Sequence, residues 1–384
     1  MRRLIASVVL LVGLVASAYA GGALKPTFSN GFKLASGDGA FSFGIKAMVN
    51  TDWSMYKADD GAGNFQNGNE VRNARIGFGG TMYSNVQYVL QYDFAGEQHG
   101  VTVAYMGITG IPFLGTVRMG HMVEPFSMTF ATSPTAHPMM ERALPWVMCP
   151  GWNTGIMALN TVMNKRLHWG LGVFKDTGAI GQNKDDDNIA VTGRVNGAVI
   201  QDGNKLVRLG VAFSHRRVDS LKYKASPESH LAPAMIKMGI ATETVNLVGT
   251  ELVTVLGPFS LQAEGIASYA DVAGESDPLL GYYAVIGYML TGESKSYGAS
   301  GTLGRVVPEH NFGKDGFGAW ELLVRYSAVD FDGAGANAGV LTAISAGVNW
   351  TLNPKSRVML NYVYGDHDTK GAASAVQMRF SVDI

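Results

Sequence analysis

Along most of this chain, apolar side chains recur at every second residue. Phe41, Phe43, Ile45, Ala47 and Val49 alternate with Ser42, Gly44, Lys46, Met48 and Asn50, and Val86, Tyr88, Leu90, Tyr92 and Phe94 alternate with Gln87, Gln91 and Asp93. The period returns over Val207 to Phe213, Phe259 to Tyr269, Trp320 to Tyr326, Ile344 to Leu352, Val358 to Tyr364 and Val376 to Ile384. Successive side chains of a strand point to opposite faces, so each segment reads as a strand with one apolar and one wet face. About sixteen such strands can be counted, an even antiparallel set with Tyr, Phe and Trp toward the strand ends, which is the pattern of a transmembrane barrel with aromatic girdles. A barrel of about that size is too wide for side chains to fill, and a water channel remains. The expected fold is therefore all-β: a transmembrane antiparallel β-barrel.

Connection lengths agree with this topology. Ser84-Asn85, Gln201 to Asn204, Gly257-Pro258 and Asn353 to Lys355 are tight turns, each after an even-numbered strand, while the longer segments 53–69, 123–153, 176–187, 218–243 and 331–338 follow odd-numbered ones. Short periplasmic turns and long outer loops alternate in this way. Residues 292–317 break the rule, being long on the short-turn side. They contain either two further short strands or a turn that folds into the channel.

The first twenty residues read as a secretory signal. Arg2 and Arg3 form the charged start, Leu4 to Val15 the apolar core and Ala18-Tyr-Ala20 the cleavage site. Residues 21–40 then form a short N-terminal segment and 41–384 the barrel domain. No later stretch approaches the roughly 18 apolar residues of a membrane helix. The formal charge of −1 gives no hint of a nucleic acid partner, and the single Cys149 has no second cysteine to pair with.

The segment between Val117 and Asn160 is far longer than a hairpin connection. It is rich in Pro, Met, Phe and Trp and poor in charge, which is not the composition of a disordered stretch. Its apolar surface needs burial, and the channel is the wide cavity on offer. A long loop folded into the lumen is thus expected at 123–153, with Met128, Met139, Met140 and Met148 packing on the inner wall.

The run Val117 to Ser127, with Met140-Glu-Arg-Ala-Leu-Pro145 and Pro150-Gly-Trp-Asn-Thr-Gly155, resembles the phosphate-selective porin O and P family of bacterial outer membranes. Asn69 to Gly77, Asp93 to Gly96, Gly287 to Ser294, Gly318 to Ser327, Asn349 to Pro354 and Leu360 to Tyr362 extend the resemblance over nearly the whole mature chain. It implies an outer-membrane channel, a homotrimer, and a central anion site. Where the family carries an Arg-Arg pair opening the second strand, this chain reads Arg72-Asn73, with Arg75 beyond. The family's neighbouring acid matches Asp93, and the basic residue of its Glu-Arg-Ala-Leu motif matches Arg142. The family's ladder of alternating arginines is reduced here to Arg208, Arg216 and Arg217.

The residues themselves place Lys46, Arg75, Arg118, Arg194, Arg208, Arg216, Arg325, Arg357 and Arg379 on the face opposite the apolar one. The acids Asp52, Asp93, Glu264, Glu321 and Asp383 share that face, and others, Glu228 among them, fall in expected outer loops. Basic rings favour anions by replacing part of their hydration. Yet an Arg facing mid-bilayer lipid costs about 2–4 kcal/mol, so inward arginines are partly obligatory whatever the pore conducts. The function expected is passive diffusion of small anions, phosphate or other oxyanions included, with outer-membrane lipid and lipopolysaccharide around the barrel. A general weakly selective porin, a barrel enzyme and a hydrophobic-solute channel are the alternatives. Ser214 and His215 are strand neighbours facing opposite sides, which disqualifies them as a catalytic pair. Gly21 to Gly39 is too short for the plug of a hydrophobic-solute channel. Glu293-Ser294 stands where a phosphate-binding loop needs Lys-Ser or Lys-Thr. Asp185 to Asp187 reads as a solvated loop, and no cofactor or metal is called for.

Overall fold

The computed structural model describes residues 24–28, 31–96, 100–177, 188–275 and 277–384. The expected leader 1–20 and the acidic run Asp185 to Asp187 lie outside the described residues. The strands are β1 (Lys25–Phe28), β2 (Phe32–Ala35), β3 (Ser42–Ala58), β4 (Gly68–Met82), β5 (Val86–Asp93), β6 (Gly100–Ile111), β7 (Gly115–Val123), β8 (Trp152–Val162), β9 (Leu167–Lys175) and β10 (Ile189–Asp202). They continue as β11 (Lys205–Arg217), β12 (Leu221–Ala225), β13 (Ile236–Ile240), β14 (Thr244–Leu256), β15 (Phe259–Ala270), β16 (Leu279–Met289), β17 (Ala319–Asp330), β18 (Val340–Asn353), β19 (Ser356–His367) and β20 (Gly371–Asp383).

From β3 to β11 and from β14 to β20 each strand pairs antiparallel with the next, and β20 returns to β3 with Arg379 opposite Asp52 and Asp383 opposite Met48. The result is a closed sixteen-stranded antiparallel barrel. Closure matters physically, because an open edge in hydrocarbon would leave N–H and C=O groups without partners at several kcal/mol each. The hairpin β1–β2 lies on the first residues of β3, outside the closed ring. The hairpin β12–β13 sits in the connection between β11 and β14. Residues 292–317 hold no further strand: among the described residues they show only the isolated bridges Tyr297 to Leu303 and Phe312 to Gly316.

The alternation sorts the wall into two rows. In β16, Leu280, Tyr282, Ile286 and Tyr288 are exposed, while Leu279, Gly281, Tyr283, Val285 and Met289 are buried. In β15 the buried row is Ser260, Gln262, Glu264, Ile266 and Ser268. In these two strands the exposed row is apolar and suits lipid. The opposite row, called the polar face below, carries the charged residues. Aromatic rings gather near strand ends on the apolar face, including the stacked Trp320 and Trp350, whose indole nitrogens both donate to the Phe317 carbonyl.

One irregularity on β4 positions functional groups. Asn50 pairs with Asn73 and Thr51 with Val71, which leaves Arg72 as an extra residue in the ladder. A bulge of this kind turns two successive side chains to one side. Arg72 and Asn73 therefore both serve the polar face, where strict alternation would have sent one into lipid.

Candidate functional site

Residues 124–151 connect β7 to β8 and make their contacts on the polar face of distant strands. The segment opens with a one-turn helix, α1 (Met128–Ala131), whose N-cap Ser127 accepts from the Phe130 N–H. Glu264 on β15 supplies the negative charge that exposed helix N–H groups favour. It accepts from the Met128 and Thr129 amides at 2.8 and 3.1 Å and from the Ser127 hydroxyl at 2.9 Å. Two 3-10 turns follow at Pro134–Ala136 and Leu144–Met148. Met128, Met139, Met140 and Met148 are all at most 2% exposed.

Beyond α1 the backbone of this segment is fastened by wall side chains. Arg357 donates to the Pro134 and His137 carbonyls, each at 2.8 Å, and Asn349 to the Pro138 carbonyl at 2.8 Å. Asn361 accepts from the Met140 amide, Arg379 donates to the Met140 carbonyl, and Arg325 donates to the Glu141 carbonyl at 2.9 Å. Glycines mark the closest approaches. A Cβ at Gly281 would lie 2.7 Å from the Met148 sulfur, and one at Gly347 would lie 2.9 Å from the Met139 sulfur. Glycine within a strand commonly marks such an approach.

Two other connections reach the same face. In 226–235 the Glu228 carboxylate accepts from Arg325 at 2.5 and 3.0 Å, and from Ser327 and Ser345. In 292–317 the Ser300 carbonyl accepts from Arg194 and Asn196, and the Ala299 carbonyl from Arg208. This second contact set joins a turn following β16 to strands β10 and β11, and the Leu303 amide also donates to the Thr132 hydroxyl.

The sequence-selected residues divide by partner. Arg75 meets Asp93 at 2.6 Å, with Asn73 donating to the same carboxylate. Arg194 meets Glu251 at 2.8 Å, and Arg216 meets Glu124 at 2.8 Å. Arg72 and Arg379 share Glu141, and Arg379 also holds Asp52. Arg325 holds Glu228. Arg208 and Arg357 bond neutral oxygens instead, Arg208 to Asn196 and the Ala299 carbonyl. Arg118 lies over the Tyr105 ring at 4.7 Å. Arg142 stands among the rings of Phe130, Trp146 and Trp152, at 4.7 to 6.0 Å from their centres. Lys46 is exposed and has no ion pair among the described residues.

Alternation alone places Glu228 among the outer-loop acids, away from the wall. The structure corrects this, and it adds Glu124 and Glu141, which strand alternation could not address because they lie between strands. Each of these carboxylates sits on a wall arginine. The charges of Arg75 and Arg325, two of the wall arginines read from the sequence, are accordingly cancelled by Asp93 and Glu228.

Environment fixes charge states within the 124–151 segment. Burial, with Arg142 nearby, holds His137 neutral, its pKa well below the usual imidazole value, and its ring nitrogen bonds the Thr132 carbonyl. Burial would raise the Glu141 carboxyl, but Arg72 and Arg379 outweigh it and hold the group well below the usual carboxylate range. Burial lowers Arg142 to about 10, which leaves it charged at neutral pH, and pushes the Cys149 thiol well up.

Residues 43–384 match the family model described as phosphate-selective porin O and P, in line with the resemblance read from the sequence. Porin O of Pseudomonas aeruginosa is 24% identical, with 91% of each chain covered. Among solved structures, an anion-selective porin from Comamonas acidovorans is similar at a TM-score of 0.53 and 13% identity, covering 90% of this chain and 100% of that one. The trimer form of OmpT, an outer membrane protein of Vibrio cholerae, gives 0.56 and 12%, again over 90% and 100%. At such identities the two structures speak for the fold.

Proposed function

The chain belongs to the phosphate-selective porin O and P family of the bacterial outer membrane, and from that premise we propose a water-filled channel through which small anions diffuse passively, with a modest preference over cations and without strong selection for phosphate. The observation that carries the preference is an unbalanced charge on the polar face. Among the described residues of the barrel strands, Lys46, Arg118, Arg208 and Arg357 have no carboxylate partner, whereas Glu264 is the polar-face acid without a basic one. In a narrow passage of effective dielectric near 20, one charge acts on a passing ion by about 4 kcal/mol at 4 Å. A surplus of a few charges thus biases permeation.

On this reading the polar face lines the channel, and segments 124–151, 226–235 and 292–317 lie within and narrow it. The support is that each of them bonds polar-face side chains. The apolar face then meets outer-membrane lipid and lipopolysaccharide, and the assembly is a homotrimer, by analogy with the trimer form of OmpT. Asn73 in place of an arginine, and the cancelled charges of Arg75 and Arg325, favour weak phosphate binding. Reversal potentials of single channels across a KCl gradient test the proposal. Chloride is expected to be more permeant than potassium, with only weak block by phosphate. A potassium-preferring wild type overturns it.

A further inference from the structure

Arg72 on β4 and Arg379 on β20 converge on one carboxylate that belongs to neither strand. Arg72 donates from Nε to Glu141 Oε1 at 2.9 Å and from Nη2 to Oε2 at 3.1 Å, a fork on both oxygens. Arg379 Nη2 adds a third donor to Oε1 at 2.6 Å. Two guanidinium groups offering three charge-assisted donors form a set that recognises a tetrahedral oxyanion as readily as a carboxylate.

We propose that Glu141 is a tethered anion, occupying with its own carboxylate the two-arginine site that a permeating oxyanion would otherwise take, and so setting the channel toward weak oxyanion binding. The proposal rests on the channel reading above.

Access is the first argument. The Arg72 and Glu141 side chains are 21% and 15% exposed, whereas Arg379 and Asp52 are 3% and 4% exposed. A solute can therefore approach the Arg72 side of the cluster, while the Arg379–Asp52 pair behind it is sealed. Redundancy is the second. The segment around Glu141 is fixed through its backbone by Arg325, Asn349, Arg357, Asn361 and Arg379, so the carboxylate is not what holds it in place. Charge is the third. Arg72, Arg75 and Arg379 face Asp52, Asp93 and Glu141, a balanced group. Arg379 keeps Asp52 if Glu141 is neutralised, but Arg72 has no other hydrogen-bond partner among the described residues. The freed donors would then be those most open to solvent.

The test compares wild type with Glu141→Gln in planar bilayers, using inorganic phosphate as the probe. The variant is expected to raise the chloride-to-potassium permeability ratio several-fold. Phosphate should block its chloride current at a concentration lower by on the order of tenfold, the size of one charge-assisted contact regained. Adding Arg72→Gln should remove that gain. Glu141→Ala keeps the same backbone anchors and serves as the second variant if the amide fails to insert. Either variant, inserted and conducting with unchanged permeability ratio and phosphate block, overturns the tethered anion. A wild type that conducts no ions, or prefers potassium, overturns instead the channel reading beneath it.

Discussion

Removing the Glu228 carboxylate should free segment 226–235 from the barrel wall while leaving the barrel intact. Glu228 is fully enclosed, with 0% side-chain exposure against 4% for Arg325. In Glu228→Ala the guanidinium stays buried with the Glu141 carbonyl as its remaining partner. Breaking a buried pair from one side costs about 3–5 kcal/mol, mostly the penalty of the uncompensated charge. The other anchors are the Tyr56–Ser229 hydroxyl contact at 2.6 Å, Gln377 to the Glu228 carbonyl at 3.0 Å and Lys370 to the Met235 carbonyl at 2.5 Å. Each contributes about 0.5–1.5 kcal/mol, and more for the charged lysine. The half-exposed His230–Glu70 pair adds about 0–1 kcal/mol. The loss is thus comparable to the other polar contacts anchoring the segment, leaving the buried Met235 and Ile236 as its apolar anchor, and opening should become more frequent. Lys222, Lys224 and Lys237 are exposed on the flanking hairpin β12–β13 and report opening as sites for a lysine-specific protease. Cleavage should be rapid in Glu228→Ala and slow in wild type, with the heat-dependent gel shift of the barrel retained in both. Glu228→Leu with Arg325→Met replaces the pair by apolar groups of similar bulk, a change that is commonly neutral or stabilising, so protection should largely return. If the single variant is cut no faster than wild type, packing of β12–β13 holds the segment and the ion pair does not; if the double variant is as labile as the single, the cost lies in losing the pair itself and not in the uncompensated arginine.

Four further outcomes are expected. Arg118→Glu reverses a basic group that lies over the Tyr105 ring and has no carboxylate partner among the described residues, and should lower the chloride-to-potassium ratio several-fold in reversal-potential measurements. Gly281→Val would drive a branched side chain into Met148 and Pro145, at a cost of about 1–3 kcal/mol, and should lower the temperature of the gel shift. Cys149, its thiol raised by burial, should resist maleimide at pH 8 in the folded protein and react in urea, as read by mass. The Glu141 carboxyl is depressed in the fold, so its contribution is complete above its unfolded value of about 4.3 and is lost only as pH falls through the much lower folded value. The difference in ion preference between wild type and Glu141→Gln should therefore persist as pH is lowered from 7 to about 4.

The barrel was legible because lipid imposes a strict rule on every strand, one apolar row and one row of anything else, and the turns alternate short and long. The hairpin β12–β13 left a fainter trace, Leu221, Tyr223 and Ala225 and then Ile236 and Ile240 alternating over five residues each. Such runs do not stand out within a long connection. The partners of the arginines were not legible at all. Arg72 and Glu141 lie 69 positions apart and Arg379 and Glu141 lie 238 apart, and no periodicity reports a contact made across a barrel. Arg72 was readable as a site residue only through family resemblance, since strict alternation with Asn73 and Arg75 would have turned it to lipid; the bulge at this position is what brings it round.

The lipid rule forces every wall arginine onto the polar face, but it does not settle what the charge does there. Arg216 and Arg325 anchor connecting segments through carboxylates and give up their charge in doing so, and Arg194, which also holds the Ser300 carbonyl, gives up its charge to Glu251 two strands away. Arg208 and Arg357 anchor segments through carbonyl oxygens, which are neutral, and keep theirs. A carbonyl contact fixes the backbone nearly as well, because the bond to a charged donor is worth about 1.5–3 kcal/mol. The unpaired charge still acts on any ion passing within a Debye length of roughly 8 Å. Counting basic residues on a barrel wall consequently overstates anion preference. The better guide is which of them hold carbonyls, and by that measure the field of this wall is concentrated where segments 124–151 and 292–317 are fastened.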